Sequence, residues 1–500
     1  MSQLNYRLIS YIIGLLLLFN ATAIFLTSFV SYFFNDGFFS SVLKSALICF
    51  SFGLFIMLLS KNPKKIINRR DGYLIVVLGW LTMVFSGMLP YIFTNTIDNI
   101  PDLIFETMSG YTTTGSSIIG DIEALPESII FWRSMTHWLG GMGIIVLAIA
   151  ILPMLGIGGM QLFSAEAPGS GISGDKIHPR ISNTAKRLWF IYLGLTLLES
   201  ILLNIAGMSF FDAVNHSMSN IATGGFSTKN NSLSFWNSMP QIQYIIIFFM
   251  ILAGTNFLLI YLSLIGKFKK LFFNTEFIWF LGLIAFFVLI TTIILNSNVD
   301  LDSTNFNHPQ VLGKLEASFR HALFQVVAII TTTGFVTGNF AAWTPFLTML
   351  FFGLMFIGAS SGSTSGGIKI SRHLILIKNG FLEFKRSLHP NAILPLRYNH
   401  SVVKKEVVVN ILAFFMLYLI LFIVGAAVLS TQDLDFISSI GGSAASLGNV
   451  GPALGSIGPA FNFESITGFS KICCAFLMLV GRLELFTFLI IFTPYFWKNT

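Results

Sequence analysis

The chain has 500 residues, of which 54% are hydrophobic and 10% charged, and its formal net charge is +7. Soluble proteins need more polar residues to cover their surface, so this composition excludes a soluble globular protein and indicates a polytopic membrane protein. The positive charge does not indicate nucleic-acid binding, because the basic residues cluster in short loops between apolar segments, as they do in membrane proteins.

Ten apolar segments are long enough to cross a bilayer as helices. In chain order they cover roughly residues 8–34, 38–60, 72–95, 129–158, 186–209, 237–265, 276–297, 342–376, 404–430 and 465–497. The first segment is predicted to be a retained helix rather than a signal peptide, because another span follows it at once. Basic loops at 61–71, 159–187, 267–270 and 372–405 alternate with acidic loops at 98–127, 300–302 and 433–435. This alternation predicts a multi-pass protein with both termini in the cytoplasm.

Four loops between the apolar segments contain, in this order, a hydroxyl residue, one further residue and a glycine. They are Thr113-Thr114-Gly115, Thr223-Gly224-Gly225, Thr332-Thr333-Gly334 and Ser446-Leu447-Gly448, with the glycines 110, 109 and 114 residues apart. Small residues stand six positions before each glycine: Ser109, Ser219, Ala328 and Gly442. A single glycine of this kind is more often an ordinary turn between helices, but four in register indicate a repeated structure.

Each of these loops follows an apolar segment that is too short to span the membrane, at 103–111, 210–222, 317–330 and 434–445. Such segments fit re-entrant pore helices, because irregular backbone at membrane depth needs protein or a water-filled cavity around it. The predicted fold is an all-α polytopic membrane protein with four span–pore helix–filter loop–span repeats around a pseudo-fourfold central pore. The predicted boundaries are two extra N-terminal helices at 1–71 and repeats at 72–185, 186–272, 273–400 and 401–500.

The glycine loops have the chemistry of a cation filter. Backbone carbonyls can replace the water around a cation, and glycine reaches the positive φ angles that aim successive carbonyls at one axis. The filter positions contain no ring of Asp or Glu, which speaks against a divalent-selective pore. The candidate filter residues are Thr112, Thr113, Thr114, Gly115, Ala222, Thr223, Gly224, Gly225, Thr331, Thr332, Thr333, Gly334, Ser446, Leu447, Gly448 and Asn449.

The eighth span contains ten consecutive small residues at 358–367, in the sequence GASSGSTSGG. One interpretation is a helix-packing face, since Gly358, Gly362 and Gly366 form a GxxxGxxxG series. A phosphate-binding loop is disfavoured, because the Gly-Lys-Ser/Thr ending and a preceding strand are missing. The remaining interpretation is a broken helix whose polar loop gates a pore. The candidate gate residues are Gly358, Ser360, Ser361, Gly362, Ser363, Thr364, Ser365, Gly366, Gly367 and Arg482.

Arg482 is expected near the middle of the last span, where a charge is costly and faces a cavity or a partner. A guanidinium in a cation pathway would repel the ion and could hold the loop by hydrogen bonds. The alternative is a salt bridge that only fixes helix packing, for which Glu199 in the fifth span is the acidic candidate. The cysteines and the isolated histidines are predicted to be buried interior residues, because their spacing fits no metal site. They are Cys49, Cys473, Cys474, His137, His216 and His321.

Several motifs together resemble one known family. They are TTTGSS at 112–117, WLGGMG at 138–143, ATGGFST at 222–228, TTTGF at 331–335, SLGNVGP at 446–452, the loop at 358–367 and GRLE at 481–484. On these motifs the chain resembles, over essentially its whole length, the membrane subunits of bacterial Trk potassium-uptake systems (TrkH/TrkG type), in the Trk/Ktr/HKT superfamily. The two additional N-terminal helices favour the Trk branch over the shorter Ktr branch.

The resemblance implies potassium uptake across the bacterial inner (plasma) membrane. It places the K⁺-filter glycines on Gly115, Gly225, Gly334 and Gly448, with K⁺ held at these and at Thr113, Thr223, Thr332 and Ser446. Some sodium-selective plant relatives carry Ser at the first position, so Gly115 favours K⁺. The resemblance also implies a homodimer beneath which a cytosolic nucleotide-binding regulatory subunit (TrkA-like) binds. Because this chain has no nucleotide motif, no cofactor is expected in it.

Two other functions remain open from the sequence. A proton- or sodium-coupled K⁺ symporter of the same fold, or a less selective K⁺/Na⁺ transporter, would share the filter motifs. Coupled carriers usually show inverted repeats and a buried titratable group, whereas these repeats share one topology and only Glu199 is an evident acid in a span. A membrane enzyme is disfavoured, because no Asp, Glu, His or Ser groups converge in the sequence at one depth.

Overall fold

The computed structural model describes residues 4–63, 68–155, 181–299, 301, 306–399 and 401–497. These residues form an all-α membrane protein of four similar repeats preceded by two N-terminal helices. Two antiparallel strands of two residues each, Arg397–Tyr398 and Ser401–Val402, are also present. Parts of the charged loops at 61–71, 159–187 and 300–302, and the end of the predicted 129–158 span, lie outside the described residues.

The two N-terminal helices, Tyr6–Phe34 and Phe39–Leu59, pack closely at a pair of glycines. A methyl group added to Gly14 would lie 2.9 Å from the carbonyl oxygen of Gly53, so the two backbones touch there. The turn between the helices is tied to the first repeat, because Asp36 accepts a hydrogen bond from the backbone N–H of Ser128 at 3.0 Å. This pair of helices therefore rests against the repeats as one unit.

Each repeat consists of a long first helix, a short pore helix, a glycine-containing strand and a second helix. The first helices are Arg69–Gly87 (continued by Leu89–Thr94), Ile181–Ile205, Thr275–Asn298 and Lys405–Ser430. The pore helices 1 to 4 are Ile100–Tyr111, Phe210–Ile221, Lys314–Ile330 and Phe436–Gly448. The predicted pore helices agree with these bounds to within a few residues. The sequence boundaries between the repeats stay predictions.

The second helices are interrupted, which corrects the expectation of continuous spans at 237–265 and 465–497. Pro240–Ala253 and Phe257–Leu264 meet at 102°, and Gly468–Arg482 and Phe486–Phe492 meet at 107°. Asn256 starts the helix after the first bend by accepting the N–H of Leu258, while Glu484 and Leu485 take positive φ angles at the second. In the first repeat, Glu127–Leu155 contains a non-helical residue, Gly143 (φ 54°, ψ −157°).

The third repeat has the longest interruption. Pro345–Leu354 and Ile370–Leu388 are separated by a non-helical segment where the sequence predicted one span at 342–376. Six described helices are long and apolar enough to cross a membrane alone, and the two bent pairs bring the number to eight in the described ranges. By length and composition the described residues thus supply six to eight of the ten predicted crossings, and several of the predicted spans are broken.

The predicted interior groups are found mostly inside the molecule. His137, His216 and His321 are buried, and their ring nitrogens bond to hydroxyls of Ser219, Ser227 and Thr337 at 2.9 to 3.0 Å. Cys49 and Cys474 are buried and Cys473 is half-buried, all as free cysteines. These groups therefore pack inside the repeats, except Cys49, which packs inside the pair of N-terminal helices.

Candidate functional site

All four pore helices end in the same backbone conformation. The residue after each last turn is left-handed: Thr113, Thr223, Thr332 and Asn449 have φ between 52° and 55°. The next amide in each repeat bonds back into the helix, from Thr114 to Ser109, from Gly224 to Ser219, from Thr333 to Ala328 and from Val450 to Ala445, at 2.8 to 2.9 Å. These matching bonds define which residues are equivalent in the four repeats.

This equivalence corrects the sequence alignment of the fourth repeat. Ser446, Leu447 and Gly448 lie in the last turn of pore helix 4, so they are not the counterparts of Thr113-Thr114-Gly115. The counterparts are Asn449, Val450 and Gly451, and the equivalent small residue is Ala445 rather than Gly442. The expected K⁺ positions Ser446 and Gly448 are therefore wrong in register. Asn can occupy the left-handed conformation as Thr does here, so the hydroxyl rule misplaced the alignment by three residues.

The glycine after each left-handed residue packs directly against the neighbouring repeat. A methyl group on Gly115 would lie 1.9 Å from the carbonyl oxygen of Gly224, and one on Gly225 would lie 2.2 Å from that of Thr333. The corresponding distances are 2.1 Å from Gly334 to Val450 and 2.6 Å from Gly451 to Thr114. Since the last contact returns to the first repeat, the four strands close into a ring, which we call the glycine ring.

Only glycine fits these four positions for two separate reasons. Gly115, Gly225, Gly334 and Gly451 have φ of 83°, 85°, 74° and 101°, where side chains are strained. A Cβ atom would also occupy the space of the adjacent carbonyl oxygen. The ring therefore brings together four backbone carbonyls, those of Thr114, Gly224, Thr333 and Val450, at a spacing fixed by packing.

The predicted threonines line this ring but do not play equivalent parts. The hydroxyls of Thr112 and Thr114 bond to each other at 2.8 Å, as do those of Thr331 and Thr333. Thr223 donates to the carbonyl of Ala222, whereas the buried hydroxyl of Thr113 has no hydrogen-bond partner within the described residues. In the fourth repeat, the side-chain amide of Asn449 donates to the hydroxyl of Thr114 at 3.0 Å and so joins repeats 4 and 1.

The segment 358–367, which we call the intramembrane loop, lies against one end of the glycine ring. The hydroxyl of Thr364 donates to the carbonyl of Ile221 at 3.0 Å, and the amide of Gly366 donates to the hydroxyl of Thr332 at 2.7 Å. A methyl group on Gly366 would lie 2.8 Å from the carbonyl oxygen of Gly448. The loop thus touches the ends of pore helices 2 and 4 and the strand of repeat 3.

The loop is not a helix-packing face. Gly358 packs against the other arm of the same loop, since an added methyl would lie 2.4 Å from the carbonyl oxygen of Gly366. Gly362 and Gly367 have φ of 74° and 64°, which a helix does not allow. The GxxxGxxxG interpretation is therefore wrong, and the interpretation as a broken helix with a polar loop is the one that fits.

Arg482 holds this loop through backbone carbonyls. Its guanidinium donates to the carbonyl of Thr364 at 2.8 Å and to that of Gly140 at 2.7 Å, so it joins the loop to the second helix of repeat 1. It stands at the 107° bend between Gly468–Arg482 and Phe486–Phe492, near the middle of the range that the last span was predicted to cover. The proposed bridge to Glu199 is wrong, because Glu199 accepts from Asn220 at 2.5 Å.

Other charged residues around the loop escaped the sequence reasoning. Lys369 donates to the hydroxyl of Ser365 at 3.1 Å, and Glu276 accepts the amide of Ser361 at 2.7 Å and the hydroxyl of Tyr398 at 3.2 Å. Arg372 pairs with Glu484. In the sequence, Glu276 could have been noticed as a lone acid at the start of an apolar span. Lys369 and Arg372 could have been noticed as two basic residues directly after the small-residue segment. Glu484 belonged to the GRLE motif but had no assigned partner.

Sequence comparisons find relatives of this chain among known proteins. Residues 40–498 match the family model described as TrkH, cation transport protein. The chain is 38% identical over 498 residues to the Trk system potassium uptake protein TrkH of Salmonella typhimurium, covering 99% of this chain and 100% of that protein. It is 30% identical over 502 residues to TrkG of Escherichia coli K12, covering both chains completely.

A solved structure has the same fold. The crystal structure of the potassium transporter TrkH from Vibrio parahaemolyticus matches with a TM-score of 0.87 and 35% sequence identity, covering 99% of this chain and 100% of that one. The similarity therefore extends over all four repeats and the N-terminal helices.

Proposed function

The chain belongs to the TrkH family of cation transport proteins, and from that premise we propose that it admits potassium ions through the glycine ring. The ions cross the bacterial inner (plasma) membrane in several steps: they lose water, bind backbone carbonyls and then pass the intramembrane loop. The membrane potential, negative inside, drives entry with about 2.3 kcal/mol per charge per 100 mV. The relatives' printed names, potassium uptake proteins and a potassium transporter, support K⁺ as the substrate.

The closed glycine ring is the observation that carries this proposal. Carbonyl oxygens give a dehydrated cation the ligands that it loses with its water, without a fixed charge that would trap it. The candidate K⁺ ligands are the backbone of Thr113, Gly115, Thr223, Gly225, Thr332 and Gly334. In the fourth repeat, Asn449, Val450 and Gly451 replace Ser446 and Gly448 in this role, because they are the residues in register.

The intramembrane loop is proposed as the gate. It contacts the ends of two pore helices and the third strand, and Arg482 fastens it to repeat 1. A fixed positive charge at this point opposes the passage of a cation. Opening would require the loop to exchange its hydrogen bonds for water and to move aside together with Arg482.

The remaining assignments follow from the sequence pattern and the family. Alternation of charged loops supports termini on the cytoplasmic side. A homodimer and a cytosolic TrkA-like nucleotide-binding subunit are proposed as partners, with the lipid bilayer around the repeats. Nucleotide control would then lie in the partner.

Ion flux into proteoliposomes tests the proposed function. We expect K⁺ and Rb⁺ to enter faster than Na⁺, to be driven by a potential that is negative inside, and to need no pH or Na⁺ gradient. Equal fluxes of K⁺ and Na⁺ would contradict a K⁺-selective ring. Flux that appears only with a pH or Na⁺ gradient would contradict a channel-like pore.

Proton-coupled K⁺ symport is the second candidate, and one observation favours it. Glu199 is fully buried in the helix Ile181–Ile205, and its Oε2 has no hydrogen-bond partner in the described part of the chain. Such a carboxyl group beside pore helix 2 could exchange a proton. Under this candidate, Glu199→Gln removes the acceleration of K⁺ uptake by an inward proton gradient, whereas under the channel-like candidate that gradient has no effect in either protein.

A further inference from the structure

A buried ion pair lies behind the first two strands of the glycine ring. Arg133 Nε donates to Glu106 Oε1 at 2.9 Å, and the two side chains are 1% and 0% exposed. Glu106 is on pore helix 1 and Arg133 is on the second helix of the same repeat. Neither residue belongs to the ring, so the pair makes its contacts with the segments that surround the ring.

Glu106 holds the strand that leaves the ring in repeat 1. Its Oε2 accepts the backbone amide of Ile118 at 3.0 Å and the hydroxyl of Ser117 at 3.1 Å. Ser117 and Ile118 follow Gly115 by two and three positions. A carboxylate that accepts these bonds while paired with a guanidinium makes charge-assisted hydrogen bonds, which are stronger than neutral ones.

Arg133 extends the same network into repeat 2. It donates to the hydroxyl of Ser117 at 3.0 Å and to the carbonyl of Ser227 at 3.4 Å. Its guanidinium also lies 4.1 Å from the ring centre of Phe226, the residue directly after Gly225. The pair therefore fixes the exits of two adjacent strands relative to each other.

The other repeats have weaker supports at the same place. Glu106 stands nine residues before its ring glycine, and the equivalent positions hold His216, Gln325 and Gly442. His216 bonds to the hydroxyl of Ser227 at 2.9 Å and Gln325 to that of Thr337 at 3.4 Å, while Gly442 has no side chain. At this position a charged side chain is thus found only in repeat 1 among the four described repeats, whereas in repeat 3 the buried Arg320 bonds from elsewhere to Asn237, which donates to the carbonyl of Thr337.

We propose that Glu106 and Arg133 are a positioning pair that sets the ion selectivity of the glycine ring. The inference rests on the proposed function, because it assigns the pair a role in the same filter. A carbonyl ring whose oxygens resist closing around the smaller Na⁺ favours K⁺. Buried ion pairs contribute little net stability compared with apolar residues of the same volume, so a specific structural task accounts better for this one.

The test compares two double variants that each remove one charge pair from pore helix 1. Glu106→Gln with Arg133→Met removes the support, whereas Asp102→Asn with Lys471→Met removes the pair at the outer end of the same helix, joined at 2.7 Å. In proteoliposomes we expect the first variant to raise the Na⁺/K⁺ flux ratio about fivefold, as the loss of charge-assisted bonds implies. The ratio of the second variant should stay as in the unchanged protein.

A second readout separates positioning from folding. Thermal stabilisation of the detergent-solubilised protein by KCl over NaCl should shrink in the first variant and persist in the second. An unchanged flux ratio and an unchanged KCl preference in the first variant would overturn the inference. If that variant does not fold, Arg133→Lys keeps the charge but loses the planar fork that reaches Ser117 and Ser227. It should raise the ratio by a smaller factor, and no change would again overturn the inference.

Gly115→Ser in the same assay distinguishes this inference from the proposed function. If Gly115→Ser raises the Na⁺/K⁺ ratio and the Glu106/Arg133 variant does not, the ring stands and the positioning pair fails. If neither changes the ratio, the filter assignment itself fails and the inference fails with it.

Discussion

The glycine ring and the intramembrane loop are both made of small residues, but different forces hold them in place. In the ring, each glycine lies so close to a carbonyl of the next repeat that a methyl group would come within 1.9 to 2.6 Å of the oxygen. In the loop, the main constraints are hydrogen bonds that Arg482 and Lys369 donate and that Glu276 accepts.

This difference assigns the two regions different tasks. Close packing cannot be exchanged for solvent, so the ring keeps one spacing, as selection between ions requires. A hydrogen bond to a charged group contributes about 1.5–3 kcal/mol net, and water can replace the partner when the bond breaks. The loop can therefore exchange these bonds for water and leave its position, as a gate must.

Gly115→Ser should have the largest effect, because it breaks the packing of the ring. The new Cβ would lie 1.9 Å from the carbonyl oxygen of Gly224, at a φ of 83° that disfavours any side chain. We expect K⁺/Na⁺ discrimination in flux assays to fall by about tenfold or more, since a displacement of the carbonyls acts directly on the ion. Gly353→Ala is the control, since nothing lies within 4 Å of its added methyl; equal ion ratios in both variants would refute packing as the source of selectivity.

Arg482→Ala should come next, and it should change the amount of flux rather than its selectivity. The substitution removes the bonds to Thr364 and Gly140 and the positive charge beside the loop. We expect K⁺ flux to rise severalfold with an unchanged Na⁺/K⁺ ratio. Lower flux at normal expression would instead assign Arg482 to helix packing.

Glu276→Gln should give a smaller change in the same direction. The amide keeps one acceptor for Ser361 but loses the negative charge that strengthens that bond and the one from Tyr398. We expect K⁺ flux to rise about twofold, in keeping with the weakening of one or two hydrogen bonds. Glu383→Gln is the matched control, because its pair with Arg386 is exposed and distant from the loop; an equal rise there would remove the argument for Glu276.

Asp36 should give the smallest effect, and only on stability. Burial alone would raise the pKa of its carboxyl group, but hydrogen bonds from Ser128, Ser31 and Phe38 together hold the pKa below its ordinary value of 3.8. The carboxylate therefore stabilises the fold above that pH, and the contribution disappears as the pH falls through the lowered pKa. Because the group is only half-buried and solvent screens it, we expect only a few tenths of a kcal/mol.

Thermal unfolding of Asp36→Asn from pH 3 to 6 measures this contribution. The difference in melting temperature from the unchanged protein should be largest near pH 6 and should shrink as the pH falls below 3.8. A difference that grows towards low pH would have the wrong sign. The ion ratio should not change, since Asp36 contacts neither the ring nor the loop.

The repeats could be predicted from the sequence, because their glycines recur at nearly equal intervals. The Thr-x-Gly pattern identified equivalent residues in three repeats, where Thr precedes the ring glycine by two positions. The pattern failed in the fourth repeat, because Asn449 takes the left-handed conformation there although it has no hydroxyl group. The nearest Ser-x-Gly lies three residues earlier.

The charged contacts were harder to predict for a different reason. Arg482 bonds to backbone carbonyls of Thr364 and Gly140, and no residue type in the sequence marks such acceptors. Its position depends on the 107° bend after it, where Glu484 and Leu485 take positive φ angles without a glycine or proline as a signal. Glu199 was proposed as its partner from depth alone, whereas the fold turns that carboxyl group towards Asn220.

The most direct test of the ring is a comparison of Gly451→Ala with Gly448→Ala in K⁺ and Na⁺ flux assays. A methyl on Gly451 would lie 2.6 Å from the carbonyl oxygen of Thr114, at a φ of 101°, whereas one on Gly448 would have 3.0 Å to its nearest neighbour, the carbonyl oxygen of Met355. If Asn449-Val450-Gly451 closes the ring, Gly451→Ala loses K⁺ discrimination and Gly448→Ala largely keeps it. The reverse result would contradict the ring.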